Sequence, residues 1–193
     1  MVKAAVDKWK QKKWFEIIAP AIFNDKKIGE TMAADYRMIL GRDCEIPLSD
    51  VSGDPKQQRI KLLFKIRDVK GERALTDYLG HKITQDYERS LARRRVSKLY
   101  SNQAVETKDG KKVAVKVIVV TFGKVNESIK GAIRKKLVEV INHTAKDEAL
   151  VDFIHGVLQG RLTAKLKKEL HKVHPIRHAV IQKAEIIREM PAE

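Results

Sequence analysis

Residues 1 to 13 show no sustained alternation of apolar and polar positions and predict an arm; the folded part begins with Trp14 to Ile18 and is stopped by Pro20. Between Gln57 and Asp68, Ile60, Leu62, Phe64 and Ile66 alternate with Lys61, Lys65 and Arg67. A period of two sends one set of side chains to a single face, so this segment predicts a strand with that face buried. Gly71, Gly80 and the cluster Ser52-Gly53-Asp54-Pro55 predict turns. Thr84 stands where it could cap a short helix through Tyr87, Leu91 and Arg94, which would set Arg89 and Arg93 on neighbouring turns facing outward.

The clearest hairpin runs from Val96 to Thr107, turns at Lys108-Asp109-Gly110-Lys111, and returns from Val113 to Phe122. Val113, Val115, Val117 and Val119 fall on one face while Ile118 and Val120 add apolar surface to the other, so the second strand is expected to be central and covered on both sides. Amphipathic helices downstream can supply a cover. Ile129, Ile133, Leu137, Val140 and Ile141 form one stripe, and Leu158, Leu162, Leu166 and Leu170 repeat every four residues beside Lys165, Lys168 and Lys172. His174-Pro175 ends the helical run, because proline lacks the amide proton and restricts the residue before it. The tail from Ile176 to Arg188 fits a helix through Ile176, Val180 and Ile187, or a strand through Val180, Ala184 and Ile186; periodicity leaves both open. There is no internal repeat and no low-complexity linker. The expectation is therefore α+β, a mainly antiparallel sheet or barrel with helices packed on it, organised as an arm (residues 1–13) and one domain (residues 14–193).

Charge sharpens this picture. Forty Lys and Arg oppose 25 Asp and Glu, a net charge of +15. Such an excess repels itself unless an anionic partner compensates it, and nucleic acid or a membrane surface are the candidates. The cations gather in four tracts: Lys3, Lys8, Lys10, Lys12 and Lys13; Arg89, Arg93, Arg94, Arg95 and Lys98; the stretch from Lys108 to Lys136; and the helix from Arg161 to Lys172. Four tracts favour a long polyanion over a small ligand, since each phosphate neutralised releases counterions. Flat groups near them, Trp9, Trp14 and Tyr100, could stack on unpaired bases, with Trp14 otherwise a core or rim residue of the first strand. No apolar stretch approaches the length of a membrane span, and no secretory leader is evident.

Enzymatic chemistry finds little support. No phosphate-binding G-x-x-x-x-G-K-[ST] loop, G-x-S-x-G or H-E-x-x-H motif occurs. Cys44, the one cysteine, has no neighbours that mark a nucleophile and reads as a small hydrophobe; a disulfide within the chain or a multi-cysteine zinc site is impossible. His171, His174 and His178 have a ligand-like spacing, but Pro175 breaks the face they would need. Asp147 and Glu148 are expected at the start of a helix, offsetting its dipole. Cofactor, metal and small-molecule substrate are all expected to be absent.

The order of segments resembles the small-subunit ribosomal protein family S3Ae, also called eS1, over nearly the whole chain. The resemblance is carried by Lys12-Lys13-Trp14-Phe15, Ala19-Pro20, Phe23, Ile28-Gly29 and Thr31; by Gly41-Arg42, Glu45, Leu48-Ser49-Asp50-Val51 and Gly53-Asp54; and by Lys61-Leu62, Phe64-Lys65-Ile66, Asp68-Val69 and Gly71. Its most specific stretch is Gly80-His81, Ile83-Thr84, Asp86-Tyr87, Arg89-Ser90-Leu91 and Arg93-Arg94-Arg95, followed by Ser97-Lys98. Thr107-Lys108-Asp109-Gly110, Ala132-Ile133-Arg134-Lys135-Lys136 and His174-Pro175-Ile176-Arg177 extend it. It implies a compact β-barrel core with attached helices, a tail that is a strand, and a structural component of the small-subunit platform near the messenger exit. The partners so implied are small-subunit rRNA, neighbouring small-subunit proteins and mRNA at the exit, with no membrane. Asn126-Glu127 departs from the more basic pattern of relatives, and the end at Glu193 suits archaeal members. The residues expected to bind RNA are Lys8, Trp9, Lys10, Lys12, Lys13, Arg89, Arg93, Arg94, Arg95, Lys98, Lys111, Lys112, Arg134, Lys135, Lys136, Lys165, Lys168 and Arg177. An extraribosomal RNA-binding module and an RNA-modifying enzyme are the competing readings.

Overall fold

The computed structural model describes residues 12–91 and 93–187, so most of the expected arm, with Lys8, Trp9 and Lys10, lies outside the described residues. The chain divides into two compact units, residues 1–79 and 80–193.

The first unit holds β1 (Lys13–Ile18), β2 (Lys27–Ala33), β3 (Asp43–Pro47), the one-turn helix α1 (Leu48–Ser52), β4 (Ile60–Lys70) and the start of β5 (Arg73–Ile83). β1 pairs antiparallel with β2 and parallel with β5, and β4 pairs with β3 and β5. The alternation read in β4 holds, with Leu62, Phe64 and Ile66 buried. Gly71 supplies the positive φ of +64° between β4 and β5, at the expected turn. Alternation along β1 buries Phe15 and Ile17 with Ala33, Ile39, Ile66 and Ala74, against which Cys44 packs half-buried as the small hydrophobe expected. Phe23, Phe64 and Tyr78 add an aromatic trio with centroids 5.5 to 6.0 Å apart, edge-on or tilted. Trp14 is not a core residue. Opposite Met32 on the outer face, it remains 58% exposed.

The second unit contains the end of β5, α2 (Gln85–Leu91), β6 (Lys98–Glu106), β7 (Lys112–Thr121), α3 (Glu127–Asp147), α4 (Leu150–Leu158), α5 (Arg161–His171) and β8 (Ile176–Ile186). Its strands run in the order β5-β8-β7-β6, all antiparallel. β7 is central and covered on both sides, as its two apolar faces required. On one face Val113, Val115, Val117 and Val119 are buried, with α3 packed on β6 and α5 on β8. On the other, Ile118 and Val120 join Ile83 and Leu91, with Tyr87, Val96 and Val180 against them.

Five expectations need correction. Gly80 is not a turn but lies within β5, where a Cβ would stand 2.2 Å from the Ala184 carbonyl oxygen; only glycine lets β5 and β8 approach so closely. The helix after Thr84 stops at Leu91, so Arg93 to Arg95 occupy the following turn, and Arg95 takes a left-handed φ of +64°. Leu158 and Leu162 belong to different helices, because Gly160 at φ +78° separates α4 from α5. Asp147 and Glu148 close α3 rather than open a helix, and Asp147 pairs with His143 at 2.7 Å. Among the described residues the pairings leave β2 and β3 as edges of the first unit and β6 as an edge of the second, so the sheet is not closed where a barrel was expected. The architecture is α+β with a mixed sheet of eight strands and five helices among the described residues.

The tail is a strand. Across from Lys116 and Val117 stand Lys183 and Ile181, and across from Val120 and Thr121 stand His178 and Ile176, so Gln182 and Arg177 are the extra residues of two bulges. The inward residues of β8 therefore fall at 176, 179, 181 and 184.

Candidate nucleic-acid interface

In the second unit the arginine tract is mounted on a carboxylate. Glu88, on α2, accepts from Lys98 Nζ (3.2 Å) and the Tyr100 hydroxyl (3.3 Å) of β6, and from Gln182 Nε2 of β8 (2.7 Å). Burial works to raise its pKa, but these bonds outweigh burial and hold the carboxyl below its usual range. The backbone amide of Glu88 also closes the first helical turn on the Thr84 carbonyl at 3.1 Å. Lys98 is thus half-buried and paired, with its ammonium 4.8 Å from the Tyr100 ring centroid. Arg89, Arg93, Arg94 and Arg95 are exposed beyond this anchor.

Arg93 is close enough to act electrostatically on His178 of β8, together with Arg177 and with Lys167 of α5. Burial first, then these three cations, lower the His178 pKa. The structure thus brings together two expected residues, Arg93 and Arg177, and two absent from that set, Lys167 and His178. Lys167 adjoins Lys168 on the exposed side of α5 and lies about 160° round the helix from Lys165, so its place in the basic run Lys165-Leu166-Lys167-Lys168 is the signal that could have found it; His178 belongs to the histidine set His171, His174 and His178. His171 Nδ1 accepts from the Ile176 amide at 3.3 Å, and among the described residues no group of three His, Cys, Asp or Glu could hold a metal ion.

Side by side, α3 and α5 form a second basic surface. Lys165 donates to Thr144 Oγ1 at 2.9 Å, and Glu169 is held low first by its bond from Lys172, with Lys136 and Lys168 adding to the pull. Arg134 and Lys136 are partly compensated by Glu127 (3.3 Å) and Glu139 (3.1 Å), whereas Lys135 and Lys168 are exposed. Asn126-Glu127 thereby has a local role: Asn126 is the N-cap position of α3 and Glu127 the acid of its first turn, where it also binds Lys130 at 2.9 Å. Lys111 and Lys112 stand exposed at the hairpin turn, which is tied to the helices by Asp109 accepting from the Leu150 amide at 2.8 Å.

In the first unit, Lys12 and Lys13 are exposed at the start of β1. Lys13 lines a concavity of about 470 Å³ with Asp35, Tyr36 and Glu72. Arg37 stands 5.8 Å from the Tyr36 ring centroid. No helix among the described residues is long and apolar enough to cross a membrane.

A family model described as the ribosomal S3Ae family matches residues 1–190. The chain belongs to the ribosomal S3Ae family. The S3Ae chain is 41% identical to the small ribosomal subunit protein eS1 of Saccharolobus islandicus over 182 residues, 94% of this chain and 88% of that one. It is 40% identical to the protein of the same name from Saccharolobus solfataricus over 185 residues (96% and 89%). With that of Methanocaldococcus jannaschii the identity is 37% over 186 residues (96% and 84%). All three relatives are archaeal. S3Ae membership gives this protein a structural, ribosomal role in translation and not an enzymatic one.

Proposed function

We propose that the chain is a structural constituent of the small ribosomal subunit that binds small-subunit rRNA on the platform near the mRNA exit, beside neighbouring small-subunit proteins, in the cytoplasm. The observation that carries the rRNA-binding reading is that Arg93, Lys167 and Arg177, from three separate elements of one compact unit, all act electrostatically on His178. Cations carried by β8, α5 and the turn after α2 on one folded unit offer several phosphate contacts to a folded polyanion at once. The basic face of α3 and α5 supplies further phosphate contacts, and shape rather than base identity selects the site. Residues 14–193 act in this reading as one domain behind an arm of residues 1–13 that adds Lys8, Trp9 and Lys10.

Replacing Arg93, Arg94 and Arg95 together by Ala tests the reading with a small-subunit rRNA fragment titrated at several salt concentrations. Three lost phosphate contacts lower the slope of log affinity against log salt by about 2 to 3 while the melting temperature holds. An unchanged slope assigns the arginines to the protein itself. Equal affinity for rRNA and unrelated structured RNA favours the extraribosomal module.

A further inference from the structure

The part of the second unit's outer sheet face that α2 leaves uncovered points to a site of another kind. Cross-strand register places Asn102 of β6 opposite Lys116 of β7, Lys116 opposite Lys183 of β8, and Lys183 opposite Lys82 of β5. Directly opposed residues share a face, so three lysines form one row across three adjacent strands, spanning roughly 10 Å. Like charges directly opposed destabilise a sheet. One like-charge pair of the first unit, Glu16 opposite Glu30, is bridged by Lys27 at 2.7 Å to each. In the lysine row Glu185 bridges Lys183 at 2.6 Å, while Lys116 projects exposed.

The rows on either side complete a platform. Toward α2 stands Tyr100, 53% exposed, its orientation fixed by its hydroxyl on Glu88 and by Lys98 near its ring. On the other side the register sets Ala104, Ala114, Glu185 and Gly80 in line, three of them too small to rise above the backbone. Helix α2, seven residues long, covers only the Ile118 and Val120 end of this face. Asn102 and Ala104 are exposed like Lys116.

We infer that this sheet face binds single-stranded RNA, one base stacking on Tyr100 and successive phosphates running along Lys116, Lys183 and Lys82. An oriented aromatic ring beside a row of cations on an open sheet is the combination that unpaired strands require: a π-face that any base can use and a charge track for the backbone. A duplex cannot offer a base to Tyr100, which separates this site from the phosphate-gripping surfaces above. The inference rests on the RNA-binding reading but concerns a different surface and a different form of RNA.

The test uses the full chain and an oligouridine of about ten nucleotides, within the site sizes of single-strand binders. Acetylation of surface lysines, read by mass spectrometry, is expected to be suppressed at Lys116 and Lys183 by oligouridine and not by an RNA duplex of equal length. Tyr100→Leu is expected to weaken oligouridine binding by about 5- to 150-fold. Lys116→Thr with Lys183→Thr is expected to lower its salt slope by about 1.4. In both variants duplex affinity stays within about twofold. The inference is overturned if Lys116 and Lys183 react equally with and without oligouridine while the protein still binds small-subunit rRNA; the broader reading then stands. It is also overturned if polyglutamate protects the same lysines as well as oligouridine does, which makes the face a site for acidic peptides. If the wild-type chain binds neither rRNA nor oligouridine, the broader reading fails as well. Because protection is measured on the wild-type protein, misfolding of a variant does not blunt the result.

Discussion

His81 offers the sharpest quantitative check on the second unit. It lies on β5 opposite Ala184, 2% exposed, and burial pushes its pKa from 6.5 down to about 4. The unfolded chain takes up this proton near pH 6.5, whereas the folded chain does not until about pH 4. Protonation therefore favours the unfolded state in that window, and stability is lost as pH falls. Integrating the linkage from pH 7.5 to 4.5 gives a loss of about 2.5 kcal/mol from this residue alone, a large part of the 5–15 kcal/mol typical of a domain. Stopping at about pH 4.5 excludes most of the contribution of Glu16, Glu88, Glu127 and Glu169, whose pKa values are lowered and whose stabilisation is lost further into acid. The measurement is urea unfolding at a series of pH values for the wild type and His81→Leu. The variant is less stable at neutral pH but should lack most of the acid-dependent loss, leaving a smaller residue owed to His178. Parallel pH profiles for the two proteins would refute the assignment of a neutral, buried imidazole.

Other outcomes follow from the same geometry. Gly80→Ala sets a methyl 2.2 Å from a backbone oxygen that cannot move without opening β5 from β8, so thermal denaturation should show a loss of about 3 kcal/mol or more; a near-neutral effect would contradict the close approach. Trp14→Ala, on an exposed face, should change stability by less than about 0.5 kcal/mol, whereas Phe64→Ala, fully buried in the aromatic trio, should cost about 3–5 kcal/mol by urea titration. His178 has its pKa lowered by burial and by Arg177, Lys167 and Arg93, and a bound phosphate would raise it again. Affinity for rRNA should then increase as pH falls toward 6 in the wild type, and this increase should vanish in His178→Gln; equal pH dependence would remove His178 from the contact.

Local signals predicted local structure well. β4 and the β6–β7 hairpin were legible because one face is buried and the Asp109-Gly110 turn has its own chemistry, and the two-sided apolar pattern of β7 announced its central position. The tail was not legible, since bulges at Arg177 and Gln182 space the inward residues of β8 by three, two and three, which imitates a helix. Gly80 misled because a glycine demanded by a neighbouring backbone looks, in one dimension, like a glycine demanded by a turn. At the site, the cationic tracts were plain in the sequence, but partnership was not. Lys98 and Arg134 turned out to be paired with carboxylates, while the grouping of Lys167 and His178 with Arg93, and the lysine row, depend on register between distant segments.

The position of β8 in its sheet bears on synthesis of the chain. Among the described residues, the strand synthesised latest, β8, is the one that lies between β5 and β7. Until it arrives, β7, in which every residue but Lys112, Lys116 and Thr121 is valine, isoleucine or alanine, has one flank without a hydrogen-bonding neighbour. A polypeptide interrupted before about residue 176 therefore carries an open, strongly apolar β-edge that invites association with other nascent chains, and synthesis of β8 is what covers that edge.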